Sequence, residues 1–259
     1  MKKIAIVTGA SGGLGEEFVK ALVKEDVDEI WAIARRKEKL EEIAAKCGGK
    51  VIPFPLDLTK DESYEEIEKR IKEEDASIKW MINNAGMGRS LCFKNENVDY
   101  MKKSIDLNVK ALTILSFVAL NHMEKGSYLL NVGSQAGWQP VPYETTYAAT
   151  KAYVNNFTMN LYYEYKSKGI HVTLVSPYWI EDAMLREMDH GKDVKLKMVS
   201  TPNEVVVYAI KAAKKKKMVA MNKRGVRTMN FAQRFVSTDY AVGTWLKTAK
   251  KLVDIDNQQ

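Results

Sequence analysis

Apolar runs of strand length alternate along this chain with segments whose apolar residues recur at helical spacing. Residues 3–8, 29–34, 50–56, 79–82, 128–132, 171–176 and 218–221 read as strands, because short, nearly continuous apolar runs suit a sheet buried on both faces. Between them, residues 16–24, 37–46, 63–73, 99–122, 146–166 and 203–214 carry apolar positions near period 3.6 and read as amphipathic helices. This alternation predicts an α/β fold, a doubly wound parallel sheet in three α/β/α layers. Ligands of such sheets bind beyond the carboxyl ends of the strands, so the turn after the first strand is the expected crevice.

The rhythm breaks after residue 221. Val226, Met229, Ala232, Phe235 and Val236, then Trp245, Leu246, Ala249, Leu252 and Val253, recur at helical spacing with no strand between them. Two amphipathic helices over about 226–253 are expected, covering the substrate side of the domain or completing a contact between subunits. Docking on a membrane surface is the sharper alternative.

At 259 residues, 28% charged and 46% hydrophobic, the chain suits one folded α/β domain, with disorder expected only over 254–259. Cys47 and Cys92 lack metal-ligand spacing, and the histidines are three, so neither a disulfide framework nor a metal site is expected. The apolar start is cut at Gly9, too early for a signal core, and no apolar stretch reaches the ~18 residues of a transmembrane segment. A soluble cytoplasmic protein is expected. Net charge is +7, and it is C-terminal: residues 192–259 hold 15 Lys or Arg against 5 Asp or Glu. Lys214 to Lys217 reads as a solvated turn; no nucleic-acid-binding signature accompanies it.

The candidate chemistry starts from Tyr147 and Lys151, four residues apart on an expected helix and thirteen residues after Ser134, which follows the strand at 128–132. A phenol has an ordinary pKa of about 10, so proton transfer near neutrality calls for a cation beside it. A charge about 4 Å away near a protein surface contributes about 4 kcal/mol, roughly three pK units. Tyr162 and Lys166 repeat the spacing, but thirteen residues before Tyr162 stands Ala149, which can donate nothing. Tyr162 is therefore read as structural.

At the nucleotide end, Thr8-Gly9-Ala10-Ser11-Gly12-Gly13-Leu14-Gly15 lies between a strand and a helix, where backbone amides and a helix N-terminus can meet a pyrophosphate. The spacing admits Gly9, Gly13 and Gly15 or Gly9, Gly12 and Gly15. The second strand ends in Arg35-Arg36, where an NAD site places an acid. Two guanidiniums suit a ribose 2′-phosphate, hence NADP(H).

Together these residues resemble the short-chain dehydrogenase/reductase family in its shorter, single-domain branch, over roughly residues 1–180. Asp57-Leu58 resembles its adenine-contacting site, Asn83-Asn84-Ala85-Gly86 its signature after the fourth strand, and Asn108 its helix asparagine; Ser134, Tyr147 and Lys151 match its catalytic set. The resemblance selects Gly9, Gly13 and Gly15, and implies a Rossmann-type domain that moves a hydride between NADP(H) and a ketone or secondary alcohol. It assigns Tyr147 as the proton donor, Ser134 as the partner of the substrate oxygen and Lys151 as the holder of the nicotinamide ribose. Asn108 would fix a proton-path water. Cofactor contacts are also implied at Ser11, Leu14, Pro177 and Ile180. Where the family has Gly and Thr, this chain has Tyr178 and Asp182.

Expected substrate contacts are Trp138, Tyr143, Tyr178 and Met184, joined by Val141, Trp179 and Met188. These are large and apolar, with no arginine fork for a carboxylate. A bulky hydrophobic ketone, steroid-like or long-chain, fits best, on an enzyme expected to be a homo-oligomer that binds no nucleic acid. A non-catalytic NADP(H)-binding regulator or surface-binding protein of the same fold is the alternative.

Overall fold

The computed structural model describes residues 1–188, 190–191 and 194–252. Its centre is β1 (Lys2–Thr8), hydrogen-bonded in parallel to β2 (Glu29–Ala34) on one side and β4 (Ala76–Asn83) on the other. β3 (Val51–Pro55), β5 (Tyr128–Val132), β6 (His171–Val175) and the two-residue β7 (Val219–Ala220) complete a seven-stranded sheet in the order β3-β2-β1-β4-β5-β6-β7. The strand order reverses between β1 and β4, so their carboxyl ends diverge there and open the crevice foreseen from the sequence.

Alternate residues of β1 serve opposite layers. Ala5 and Val7 face α1 (Gly13–Leu22), α2 (Lys37–Cys47) and α8 (Pro202–Lys214), through Phe18, Ile43 and Val206 among others. Ile4 and Ile6 face α3 (Glu62–Glu73), the long helix of α4 (Val98–Ile105) and α5 (Leu112–Asn121), and α6 (Thr145–Lys166), through Ile67, Leu115 and Leu161. The helix ends are specified locally. Asn97 caps α4, and Thr201 and Glu204 form a capping box ahead of α8, satisfying amides that have no partner within the helix. The run Val98–Asn121 is long and apolar enough to cross a membrane, yet Leu112, Leu115, Val118 and Ala119 are buried against the sheet, so its apolarity is accounted for by the core.

Two elements differ from expectation. A short α7 (Ala183–Met188) follows β6, too brief for its periodicity to show. The 98–121 helix contains a π-helical turn over Asp106–Ala111, a widening typical of functional sites.

The tail forms α9 (Arg224–Ala232), a 3₁₀ turn (Gln233–Phe235) and α10 (Thr238–Leu252); Val253 and residues 254–259 lie outside the described residues. Trp245 is buried beside Trp179, and its Nε1 donates to Pro142 O at 2.8 Å. Phe235, expected in the buried stripe, is instead 74% exposed, because nine residues on from Val226 it stands about 180° round the helix from that buried side chain. Trp245→Ala should therefore cost about 3–5 kcal/mol of stability, whereas Phe235→Ala should stay within about 0.5 kcal/mol. Denaturant unfolding of both variants checks the contrast.

Candidate functional site

The glycine turn after β1 is held by contacts that leave no room for side chains. Gly9 has φ 65°, and a Cβ there would meet Ala85 Cα at 2.9 Å; a Cβ on Gly15 would meet Gly9 O at 2.1 Å. Gly13 has φ 39°. Gly12 is extended, and a Cβ on it would meet nothing nearer than the Arg36 guanidinium at 3.5 Å. Gly9, Gly13 and Gly15 are thus the required set, and Gly12 is replaceable.

Asn84 ties this turn to the end of β4. Its Nδ2 donates to Thr8 O at 3.0 Å, and the amides of Asn84 and Ala85 both donate to Thr8 Oγ1 at 3.0 Å. Arg36 crosses the turn, with Nη2 donating to Ser11 O at 2.7 Å. Arg35 is exposed beside Asp57. Burial pushes the Asp57 pKa up, but Thr59 hydrogen bonds and the Arg35 charge outweigh it and leave the pKa lowered.

A cavity of about 1050 Å³ runs from this turn along the carboxyl ends of the strands to α10. Ser11, Leu14, Arg35, Arg36, Asp57 and Leu58 line one end; Ala85, Gly86, Pro177 and Ile180 line its middle. Gly15 lies beneath the turn rather than on its surface. Backbone amides at a helix start, a Cβ-free surface and the exposed Arg35 guanidinium fit a phosphorylated dinucleotide.

Ser134, Tyr147 and Lys151 converge at mid-cavity. The Ser134 hydroxyl faces the Tyr147 phenol closely enough to draw its pKa downward, and Ala136 N donates to Ser134 Oγ at 3.1 Å. Asn155, which the sequence did not single out, clamps the Ser134 backbone: its Nδ2 donates to Ser134 O at 3.0 Å and its Oδ1 accepts from Ser134 N at 3.4 Å. Lys151 Nζ donates to Val132 O at 2.8 Å and stands 5.8 Å from the Tyr147 ring centre. Asn108, within the π turn, is bonded to Met87 on both sides and donates to Thr150 Oγ1 at 3.0 Å. Tyr162 packs against the core, away from this cluster.

The electrostatics differ from the expected lowering of the phenol pKa by Lys151. Burial brings Lys151 down to about 8. Burial also raises Tyr147; the Ser134 hydroxyl opposes this, and the charges of Glu144 and Asp182 add to it. Desolvation outweighs the cation here because both groups are enclosed and the ammonium is spent on a carbonyl.

The far end of the cavity is apolar. Val141, Tyr178, Trp179, Met184, Met188 and Trp245 line it, so Tyr178 is a wall residue. Trp138 and Tyr143, expected among the substrate contacts, do not line this cavity. Trp138 Nε1 donates to Ser176 Oγ at 2.9 Å, because a partly buried indole N–H must find an acceptor. Its ring borders a separate cleft. Tyr143 takes φ 70° and its carbonyl accepts from Leu91 N at 2.7 Å. The sequence reading missed Glu144, which is 3% exposed, accepts from Ser90 Oγ at 3.0 Å and lines the cavity. Among the described residues no group of His, Cys, Asp and Glu is placed to hold a metal.

Comparison with known proteins follows this geometry. The sequence pattern of the short chain dehydrogenase family matches residues 3–193. The chain is 34% identical to 17-beta-hydroxysteroid dehydrogenase type 3 of Danio rerio, over 70% of this chain and 62% of that protein. A short-chain dehydrogenase from Sphingobium yanoikuyae in complex with NADPH has a similar structure, with TM-score 0.78, 28% identity and 90% of this chain and 92% of that one covered. So does the bulky-bulky ketone specific alcohol dehydrogenase from Comamonas testosteroni, with TM-score 0.73, 25% identity and 90% and 92% covered.

Burial raises the Glu144 pKa to about 8, against a pull downward by the Ser90 hydrogen bond, from an ordinary 4.5. Between those values the folded state holds one proton more than the unfolded state, so stability falls as pH rises from about 4.5 to about 8. Lys151 acts oppositely above about 8, where its lowered pKa makes stability recover toward 10.5. Glu144→Gln keeps an acceptor for Ser90 and should flatten the lower limb: relative to wild type, its melting temperature should gain more at about pH 8 than at about pH 5.

Proposed function

Because the chain belongs to the short-chain dehydrogenase family, we propose that it is an NADP(H)-dependent oxidoreductase interconverting a bulky hydrophobic ketone and its secondary alcohol. The observation that carries this reading is the convergence of Ser134, Tyr147 and Lys151 between a dinucleotide-shaped glycine turn and an apolar chamber of one continuous cavity. When bound, NADP(H) supplies or accepts the hydride.

The chain's own residues do the rest. The turn of Gly9, Gly13 and Gly15 and the start of α1 receive the pyrophosphate, and Asp57, Leu58, Asn84, Ala85 and Gly86 border the adenosine side. Pro177 and Ile180 receive the carboxamide. Arg36 is already engaged with Ser11, which leaves Arg35 as the main 2′-phosphate contact and Arg36 as its brace. Lys151 and Tyr147 hold the nicotinamide ribose. In reduction Tyr147 gives its phenolic proton to the substrate oxygen, while the Ser134 hydroxyl holds that oxygen as charge develops on it. Asn108 and Lys151 pass a replacement proton inward through a water.

The walls of Tyr178, Trp179, Met184 and Met188 favour an apolar substrate. A hydroxysteroid dehydrogenase and a bulky-ketone alcohol dehydrogenase among the similar proteins support that size class, and the NADPH complex supports the cofactor. A cytoplasmic homo-oligomer is part of the proposal: Cys47 and Cys92 form no disulfide, and Phe117 and Tyr163 present exposed rings on the long helices that a second copy can cover.

Two outcomes test it. Tyr147→Phe should keep NADPH affinity and lose most turnover in an NADPH-oxidation screen over ketones of graded size, while Tyr162→Phe stays active; equal losses would place the proton donor elsewhere. Arg35→Ala should weaken NADPH binding by about ten- to a hundredfold, the equivalent of a charge-assisted hydrogen bond of roughly 1.5–3 kcal/mol, and leave NADH binding nearly unchanged. An unaltered NADPH-to-NADH ratio would remove Arg35 from the site.

A further inference from the structure

Helix α9 and the 3₁₀ turn that prolongs it present four different faces. Val226 points inward and is buried. Met229, Ala232 and Gln233 line the main cavity, joined at its mouth by Val236 and Tyr240. On the other flank Arg227 and Arg234 border a second cleft, of about 260 Å³, whose walls include Trp138, Met159 and Met218. The outward face carries Phe231, 61% exposed, and Phe235, 74% exposed, with ring centres 5.2 Å apart. Arg224 is exposed about two turns before Phe231 on the same helix.

We propose that this outward face docks on an anionic lipid bilayer, with the two phenylalanines in the acyl boundary and the arginines against the headgroups, so that the cavity mouth opens onto the membrane. The docking surface stands without the hydride-transfer reading; only its use as an entry route for lipophilic ketones rests on that reading.

Three observations select this partner. Exposed aromatics clustered at a cavity mouth mark an interaction surface. The segment 223–252 holds seven Lys or Arg against Asp239 alone, so a two-fold contact between copies would set arginines against arginines, because such a contact uses the same patch on both subunits. An anionic surface neutralises them instead, and a face that combines basic and large apolar residues is the pattern of an interfacial helix. Phe231 and Phe235 meet at 61°, edge to face, which occupies a ring face that base stacking on a single-stranded nucleic acid would need.

The test is co-sedimentation of the full chain with vesicles of phosphatidylcholine alone or mixed with phosphatidylglycerol, at low and high salt. Wild type should bind the mixed vesicles and lose binding as salt rises. The double variant Phe231→Ser, Phe235→Ser should bind about tenfold or more weakly, and Arg227→Gln or Arg234→Gln about fivefold more weakly each, from roughly 1 kcal/mol per basic residue. Neither phenylalanine lines the main cavity, so turnover of a water-soluble ketone should be unchanged in the double variant. Failure of wild type to bind mixed vesicles at low salt overturns the proposal, as does undiminished binding by the double variant. If wild type ignores vesicles and the double variant halves the mass in solution, the face joins two copies; if wild type ignores vesicles and binds single-stranded RNA, the partner is nucleic acid. Vesicle binding with no turnover of any ketone leaves the docking surface standing and removes the entry route.

Discussion

The catalytic end of the cavity depends on one close approach: the turns after β1 and β4 meet at Gly9, which has no side chain to hold them apart. Thr8 Oγ1 accepts two amides from the second turn, and Asn84 Nδ2 returns a bond to Thr8 O. A methyl group on Gly9 would lie 2.8 Å from Asn84 Nδ2 and 2.9 Å from Ala85 Cα, so the two turns would have to part. Their joining carries the contact onward. A Cβ on Gly86 would lie 3.2 Å from Asn108 Oδ1 and 3.5 Å from Lys151 Nζ, and one on Gly88 would overlap the Tyr147 ring at 2.4 Å. The glycine turn and the Ser134–Tyr147–Lys151 cluster are thus ends of a single packed path, and a residue added at one end displaces the other.

That path is enclosed, and enclosure decides the electrostatics. Lys151 and Glu144 each approach neutrality near pH 8 by burial, from opposite directions. The two groups are bonded separately, Lys151 to Val132 O and Glu144 to Ser90 Oγ. Each is left with a neutral partner, which does not offset the loss of water around a charge. Asp182 adds a third acid whose pKa is raised by burial against the bonds from the Leu185 and Met184 amides, beside the position a Cβ of Gly13 would take.

The alternation of strands and helices, and the places of Ser134, Tyr147 and Lys151 along it, were legible because each rests on local pattern: short apolar runs or period 3.6, glycine between strand and helix, four residues between Tyr and Lys. The failures occur where geometry is set by contacts distant in sequence. Trp138 has the size and polarity of a substrate contact, but Ser176, on the far side of a strand, captures its N–H. Tyr143 occupies the left-handed region beside the 87–92 loop. Glu144 carries no sequence signal of burial, since a glutamate before a helix reads as a solvated start; only the neighbouring loop that brings Ser90 encloses it. The glycine spacing alone left Gly12 and Gly13 open and the resemblance chose Gly13; φ and clearance give the physical reason for that choice.

The C-terminal segment shows why one apolar stripe can serve two purposes. At about 100° per residue, Val226, Met229, Ala232 and Val236 share an arc of about 120°, and Phe235 stands about 180° from Val226. Phe235 is accordingly exposed beside Phe231, one turn before it, while Val236 reaches the cavity. α10 restores the inward phase with Ala241, Trp245, Ala249 and Leu252. A parallel sheet ends at its strand tips and cannot roof a chamber of about 1050 Å³, so the roof must be supplied by helices that follow the last strand. Closing that chamber with α10 leaves α9 at its rim, where a short helix has too little neighbouring structure to cover every apolar side chain it carries.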